Sequence, residues 1–249
     1  MRARTALLTL LAVALAVPGC DRGKPSASAA SSAGAGGLPA MEGRCEALGA
    51  AAPEVLVDPV IPVLDESRSL AELTAMYERA SPLHRTLGLT QSRLSYAASL
   101  EAAGLSDGGR VCMRVRVAIE VSAAPVTVFI AREIAAETCR RAAVHDHEMR
   151  HAQIHAAFLE DARTRLLASL VAGDVGRVRF AADAGALQQE AAAEVSAIVA
   201  AAEADDRGRL STLQSAIDTP EEYARVGTLC DTALVAVPAA RPPVPTDRR

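Results

Sequence analysis

Four of the five histidines of the chain lie within eleven residues, from His145 to His155. Inside this segment, residues 147–151 (His-Glu-Met-Arg-His) form a complete H-E-x-x-H motif. Residues four apart on a helix lie about 6 Å apart on one face, so His147 and His151 can hold one metal ion. Glu148 then lies beside the ion, where it can take a proton from a water whose pKa the ion lowers toward ~7. The motif predicts a hydrolytic metal centre.

The neighbours of the motif favour a functional role over a chance match. Val144, Ile154 and Phe158 continue the line of the two histidines as an apolar stripe of the predicted helix. Both imidazoles should therefore point into the protein, where an unpaired polar group is costly. The alternative is a pair of structural histidines that are satisfied by hydrogen bonds.

The outer histidines of the segment should not share the ion. His145 lies about 200° around the helix from His147, and His155 lies about 12 Å along the axis from it. The metzincin pattern is excluded, because Ile154 and Ala157 stand where it requires Gly and a third His. We expect His155 on the helix surface or supporting the ligands from behind.

A catalytic zinc keeps three protein ligands and one open position, so one ligand must come from outside the motif. Glu190 and Glu194 lie on a predicted helix that loosely resembles the downstream E-x-x-x-D helix of Glu-type zincins. Asp218 is the other candidate. The competing interpretations are a solvated helix face for the two glutamates and a helix N-cap for Asp218. Tyr223 could donate a hydrogen bond to an oxyanion, or simply pack against its neighbours.

Apolar residues at every second position predict the strands that precede the motif. They alternate over 94–100 and, most clearly, over 111–121. A turn and a short β-branched run at 126–130 follow, so residues 110–131 are predicted to form a hairpin. Its last strand, 126–131, could bind an extended substrate along its edge.

Helices are predicted at 67–80, 133–172 and 184–206 from the spacing of their apolar residues. Residues 218–221 (Asp-Thr-Pro-Glu) are typical of a helix start, with a capping residue, an early proline and an acid in the first turn. The predicted fold class is therefore α+β. A small antiparallel sheet should precede the helix of the motif, which packs on a second long helix.

The N-terminal residues 1–19 are typical of a lipoprotein signal peptide. An apolar run at 6–17 follows two arginines and is too short to cross a bilayer as a helix. The run ends in Val-Pro-Gly-Cys at 17–20, which resembles the bacterial lipobox and implies that Cys20 carries a lipid. An ordinary signal peptide that is cleaved nearby is the alternative.

Composition divides the rest of the chain into a tether, a domain and a tail. Residues 20–40 are mostly Ser, Ala and Gly, which predicts a flexible link between the lipidated Cys20 and the domain. Residues 41–237 are long enough for one domain with a hydrophobic core. The proline-rich residues 238–249 are predicted to be disordered.

Four cysteines remain if Cys20 is lipidated: Cys45, Cys112, Cys139 and Cys230. An even number in an exported domain favours two disulfides, for which three pairings exist. We favour Cys112–Cys139 and Cys45–Cys230, because the second bond would clamp the two ends of the domain. A zinc site built from these cysteines is a poor alternative, since no two of them have C-x₂₋₄-C spacing.

The overall composition excludes several classes of protein. With 50% hydrophobic and 22% charged residues, the chain is not collagen, a coiled-coil rod or disordered throughout. A net charge of −4 and an aromatic content of 2% argue against nucleic-acid partners, which need a basic surface or side chains that stack on bases.

Residues 88–170 resemble a bacterial family of unknown function whose members are described as secreted zinc-dependent proteases. The strand at 126–131, then Cys139, then the H-E-x-x-H motif carry the resemblance, in that order. It implies a zincin-like fold, Zn²⁺ as cofactor and hydrolysis of peptide bonds. The region of Asp218 and Thr219 is similar to a later Asp/Thr segment of that family.

The expected function is that of a zinc-dependent metallopeptidase in the bacterial cell envelope. Its expected partners are a peptide or protein substrate and a membrane, which it reaches through the lipid on Cys20. The alternative is a non-enzymatic lipoprotein that binds metal or a partner, and the additional His145 and His155 favour that alternative somewhat. An inactive zincin scaffold would share the fold.

Overall fold

The computed structural model describes residues 40–77 and 85–230. The predicted signal peptide, the lipidated Cys20, the tether up to residue 39 and the tail at 238–249 lie outside the described residues. Those assignments stay predictions. Among the described helices, none combines the length and the apolar character needed to cross a bilayer.

Strands and helices both occur in the described chain, which confirms the α+β class. The strands are β1 (Glu54–Val57), β2 (Pro62–Asp65), β3 (Gly88–Gln91), β4 (Ser95–Asp107), β5 (Arg110–Ser122), β6 (Val126–Ile130) and β7 (Arg179–Ala181). The helices are α1 (Met41–Glu46), α2 (Leu70–Met76), α3 (Thr138–Ala172), α4 (Ala184–Ser215) and α5 (Pro220–Thr228). A short 3₁₀ turn at Arg132–Ile134 precedes α3.

A long hairpin of β4 and β5 forms the centre of the first sheet. Its turn consists of Gly108 and Gly109, whose φ values of 56° and 77° suit a two-residue hairpin turn and cost glycine little. β1 pairs in parallel with the end of β5, and β7 pairs antiparallel with its beginning. The sheet is therefore mixed, and not purely antiparallel as predicted.

The predicted hairpin over residues 110–131 is wrong. β5 extends to Ser122, but β4 covers one of its edges along the whole length. β1 covers the other edge at residues 118–121. The end of β5 therefore has no free edge for the next strand, and the chain that follows joins a second sheet.

The strand β6 lies at the centre of this second sheet, with β2 parallel to it on one side and β3 antiparallel on the other. Its side chains are mostly buried, as expected for a central strand. Both edges of β6 are occupied, so the expectation that 126–131 binds a substrate along its edge is wrong. In the described chain, β3 pairs with β6 alone and is an edge strand.

The helix α3 packs against both sheets and along α4, and so connects the layers of the domain. It begins at Thr138 and not at the predicted residue 133, because the chain first makes the 3₁₀ turn. Leu159, Leu166 and Leu170 of α3 are buried in the larger core cluster, against the first sheet and α4. α4 extends to Ser215, beyond the predicted end at residue 206.

Two disulfides connect the terminal helices of the domain to β5 and to the start of α3. Cys45 of α1 is bonded to Cys112 of β5, and Cys139 of α3 is bonded to Cys230, which follows α5. The presence of two disulfides is confirmed, but the preferred pairing of Cys112 with Cys139 and of Cys45 with Cys230 is wrong. Each terminal helix is bonded to the part of the fold that it contacts, since α1 lies on the hairpin and α5 on α3. Such bonds are typical of proteins outside the cytoplasm.

A buried carboxylate links three elements of the core. Asp206 of α4 is 2% exposed and forms an ion pair with Arg165 of α3. It also accepts a hydrogen bond of 2.5 Å from the hydroxyl of Tyr96 in β4. Burial and this hydrogen bond raise the pKa of Tyr96, so the phenol stays protonated and donates. The network fixes α4 against α3 and the first sheet.

We expect Asp206→Ala to lower the free energy of unfolding by about 3 kcal/mol, because Arg165 and Tyr96 lose their shared acceptor in the interior. Urea denaturation followed by circular dichroism measures this loss. Asp205→Ala is the matched control, because Asp205 is the exposed neighbour on the same helix. That control should change the stability by less than about 0.5 kcal/mol. Equal losses in the two variants would contradict the role of Asp206.

Candidate metal centre

The H-E-x-x-H motif lies on the buried face of α3. His147, Glu148 and His151 are 6%, 5% and 8% exposed. Because His147 and His151 are one helical turn apart, their Nε2 atoms come within 3.3 Å of each other. The structure therefore places both imidazoles on one inward face of the helix, with their Nε2 atoms close together.

Asp218, in the turn between α4 and α5, completes a triangle with the two histidines. Its Oδ1 atom lies 3.3 Å from Nε2 of His147 and 3.2 Å from Nε2 of His151. Ligand atoms at ~2.0–2.1 Å from a tetrahedral ion lie about 3.3 Å from one another, so the triangle has the size of one face of such a site. The three side chains could hold a metal ion.

The second ring nitrogen of each histidine faces an acceptor. Nδ1 of His147 lies 3.3 Å from Oε1 of Glu222, and a carboxylate only accepts hydrogen bonds. Nδ1 of His151 faces Oε1 of Gln214, whose Nε2 donates to the His151 carbonyl at 3.2 Å and so fixes the orientation of the amide. Both Nδ1 atoms therefore carry the proton. When each imidazole is neutral, its Nε2 atom therefore presents a lone pair, and together with Asp218 the two atoms make a site for a cation.

Glu222 is itself held in place by two arginines. Arg225 donates to its carboxylate through Nε at 2.8 Å and through Nη2 at 2.6 Å. Arg150 forms a further ion pair with Glu222 and lies 3.2 Å from Nδ1 of His147. The carboxylate is the stronger acceptor for the guanidinium proton, so the His147 nitrogen remains the donor to Glu222.

The pKa shifts of Asp218 and His151 reflect the same demand for a positive charge. Burial opposes ionisation of Asp218, but hydrogen bonds with His147 and His151 hold its pKa well below the usual range. Burial likewise opposes the charged form of His151, but its hydrogen bonds with Asp218 and Gln214 outweigh burial and raise its pKa. The centre thus favours positive charge at the point where the three ligand atoms meet.

Glu148 lies beside this triangle without belonging to it. Burial raises its pKa, although the charges of His151 and His147 and a hydrogen bond from Thr90 act in the opposite direction. The hydroxyl of Thr90 lies 2.9 Å from Oε2 of Glu148, which leaves Oε1 without that donor. A buried carboxylate of raised pKa, next to a cation site, is suited to accept a proton.

The other two candidates for the third ligand lie elsewhere. Glu194 binds Arg177 at 2.9 Å and Arg179 at 2.5 Å, and Glu190 lies 3.6 Å from Arg177. Glu194 and Gln214 are about 30 Å apart along α4, so the glutamates lie far from the end of the helix that reaches the histidines. The structure brings Asp218, and neither glutamate, to His147.

The outer histidines also lie apart from the triangle. The side chain of His145 is 37% exposed and lies beside Asp146. His155 is buried, with Nε2 at 3.0 Å from the hydroxyl of Ser92. Burial and the neighbouring His151 lower the pKa of His155 to about 4, so it is neutral at physiological pH. Its burial contradicts the expectation that it lies on the helix surface, and the supporting role stays a prediction.

A cleft of about 1130 Å³ opens over the triangle. It is lined by residues of β3, α3, the end of α4 and α5. Leu89, Val144 and Val226 give it apolar surface, while the ligand triangle and Glu148 supply the polar groups. Tyr223 also lines the cleft, with its ring centroid 5.9 Å from that of His147 and its hydroxyl bonded to Asp218. The cleft is large enough for several residues of a peptide.

Sequence reasoning missed three residues that shape this centre: Thr90, Gln214 and Glu222. Glu222 left a usable signal, because it follows Asp218 by four residues at a predicted helix start. Thr90 and Gln214 left none, since each meets its partner only through the tertiary fold.

We expect Glu222→Ala to weaken binding of a divalent metal by about 10- to 100-fold, because the His147 ring loses the partner that fixes its orientation and tautomer. Titration calorimetry with Zn²⁺ as the probe measures the change. Glu221→Ala, at the exposed neighbouring position, is the matched control and should bind as the wild type does. Unchanged affinity in Glu222→Ala would contradict the role of its carboxylate.

The bond between Cys139 and Cys230 should matter for metal binding more than the other disulfide does. α5 has no fully buried residue, so this bond, polar contacts and the partly buried Val226 hold it and the adjacent Asp218 against α3. We expect the double Ser variant of this pair to bind Zn²⁺ at least about tenfold more weakly. The double Ser variant of Cys45 and Cys112 should lose about 2–4 kcal/mol of stability but keep its affinity for Zn²⁺.

Chelator competition on folded samples of both double variants separates the two effects. If the two variants lose affinity equally, α5 is not held in the way that we describe.

Comparisons with known proteins do not indicate a function for this chain. Searches against protein-family profiles, curated proteins and solved structures give no significant match to this chain. The function is therefore inferred from the geometry and chemistry of the side chains in the cleft.

Proposed function

We propose that the protein is a zinc-dependent metallopeptidase of the cell envelope, anchored to a membrane through a lipid on Cys20. One observation supports this proposal above all. Three lone-pair donors, from His147, His151 and Asp218, meet with the spacing of a tetrahedral site, and Glu148 lies beside them in an open cleft. Two imidazole nitrogens and one carboxylate oxygen are a donor set that suits Zn²⁺. The zincin-like fold and the family resemblance belong to the same proposal.

The donor set fits Zn²⁺ and leaves one position of a tetrahedron open for substrate or water. Bound there, the ion would supply Lewis acidity, which polarises a peptide carbonyl and lowers the pKa of water. Glu148 uses Oε1, the oxygen free of Thr90, to take a proton from water in the cleft. The same oxygen then returns the proton to the amine that leaves.

Two further groups of the chain serve the substrate. The Tyr223 hydroxyl donates its proton to Asp218, and by exchanging that hydrogen bond it can donate instead to the oxyanion that forms on the substrate carbonyl. The edge strand β3 lines the cleft and can pair with an extended peptide, which keeps the scissile bond near Glu148. This edge takes the role that the sequence assigned to 126–131.

A non-enzymatic lipoprotein that binds metal or a partner is the second candidate. A metal scavenger would use several histidines on its surface, but the described residues bring only His147 and His151 to a shared point. His145 and His155 lie apart from it. An inactive zincin scaffold would keep the same site, and only an assay of catalysis separates it from the peptidase.

We expect Glu148→Gln to lower the rate of hydrolysis of an unfolded protein by at least about 100-fold, because it removes the proton acceptor. Its zinc content and its melting temperature should stay near those of the wild type, since neither imidazole changes. His151→Ala should lose zinc and activity together. Peptide release and metal analysis on the same samples measure both quantities.

The outcomes of this experiment separate the candidates. Loss of zinc in Glu148→Gln would make Glu148 a ligand or a structural partner and refute the mechanism. A wild-type protein that binds one zinc ion and cleaves nothing would favour the metal-binding or inactive-scaffold alternative.

A further inference from the structure

One face of the edge strand β3 is fitted to the helix that carries the motif. Alternate residues of a strand point to the same side, and here Gly88, Thr90 and the following Ser92 all meet α3. A Cβ atom at Gly88 would lie 2.6 Å from Cγ1 of Val144 and 2.7 Å from Oε1 of Glu148. The absence of a side chain at Gly88 therefore lets the strand approach the helix closely.

The next two residues of this face bind the helix through hydroxyl groups. Oγ1 of Thr90 lies 2.9 Å from Oε2 of Glu148 and 2.9 Å from the carbonyl oxygen of the same residue. Oγ of Ser92 lies 3.0 Å from Nε2 of His155. Of these two hydroxyl groups, the one of Thr90 contacts Glu148, the residue to which the proposed mechanism gives the proton transfer.

We propose that Thr90 is the positioning residue of Glu148: its hydroxyl holds one carboxylate oxygen, Oε2, and so fixes the orientation of the other oxygen, Oε1. A glutamate side chain has three rotatable bonds and would otherwise sample several orientations. Thr90 is suited to restrain it, because a β-branched side chain is stiff at χ1. The role assigned to Oε1 rests on the proposed peptidase function, whereas the contact itself does not.

The backbone around Thr90 is fixed from the opposite side. Thr90 pairs with Val128 of β6, and Val128 is buried at the centre of the second sheet. The position of the hydroxyl is therefore set by the sheet, and the position of the carboxylate by α3. Through the hydrogen bond between them, the fixed position of Thr90 in the sheet restrains the carboxylate of Glu148.

The test compares Thr90→Val, which keeps the β-branched shape without the hydroxyl, with Thr90→Ser, which keeps the hydroxyl. We expect Thr90→Val to lower kcat by about 10- to 100-fold with KM and zinc content unchanged, because the base is no longer held in a productive orientation. Thr90→Ser should recover most of the wild-type kcat. Thr164→Val is the control, since it removes an exposed hydroxyl that bonds only a carbonyl of α3.

A second measurement does not depend on catalysis. The ¹³C resonance of the Glu148 side-chain carboxyl is identified by its absence in Glu148→Gln. In Thr90→Val this resonance should move and broaden, whereas Thr164→Val and Thr90→Ser should leave it close to its wild-type position. If Thr90→Val does not fold, Thr90→Ala replaces it under the same criteria.

A loss of kcat below tenfold in Thr90→Val, or an equal loss in Thr90→Ser, overturns the inference while the peptidase function stands. If the wild type cleaves nothing, the peptidase function is refuted. The ¹³C resonance of Glu148 then tests by itself whether Thr90 positions this side chain. An unchanged carboxyl signal in Thr90→Val then overturns the positioning role, and a displaced signal supports it.

Discussion

Three ligand atoms meet at one point of this protein, and their lone pairs repel one another unless a proton or a metal cation lies between them. The repulsion arises because Glu222 and Gln214 occupy the Nδ1 atoms of the two histidines. Only a framework that resists this repulsion can keep the ligands in place. The domain provides it by drawing the ligands and their partners from a buried helix, from the end of a second helix and from the segment that follows.

The candidate metal ligands and the proposed base have separate supports. His147 and His151 are oriented by groups of α4 and α5, on the C-terminal side of the chain. Glu148 is oriented by the second sheet through β3. Although the three residues are neighbours on α3, their supports come from different elements of the fold. The contacts that orient the two histidines are therefore separate from the contact that orients Glu148.

The sequence predicted what depends on short-range geometry. The helical repeat alone brought His147 and His151 to one face, and the number of cysteines alone indicated two disulfides. Contacts between distant segments could not be predicted from the sequence. Thr90 and Glu148 are separated by 58 residues along the chain, and His151 and Gln214 by 63. The predicted hairpin of β5 with β6 was wrong for the same reason. The edge of β5 that β4 leaves open is occupied by β1 and not by β6, although β6 is nearer in sequence. From the sequence, Asp218 was one of three candidates for the third metal ligand, and nothing in the sequence distinguished it from the other two.

The order of the segments along the chain also sets the time at which the centre can form. His151 and Asp218 are separated by 67 residues, so an emerging chain presents both histidines well before their third partner. The bond that secures α5 closes over 91 residues and requires Cys230, the last described residue, in an oxidising compartment. A chain whose synthesis has not reached Asp218 holds two of the three candidate ligands. The centre is therefore held most firmly only after the chain has been made through Cys230 and this disulfide has formed.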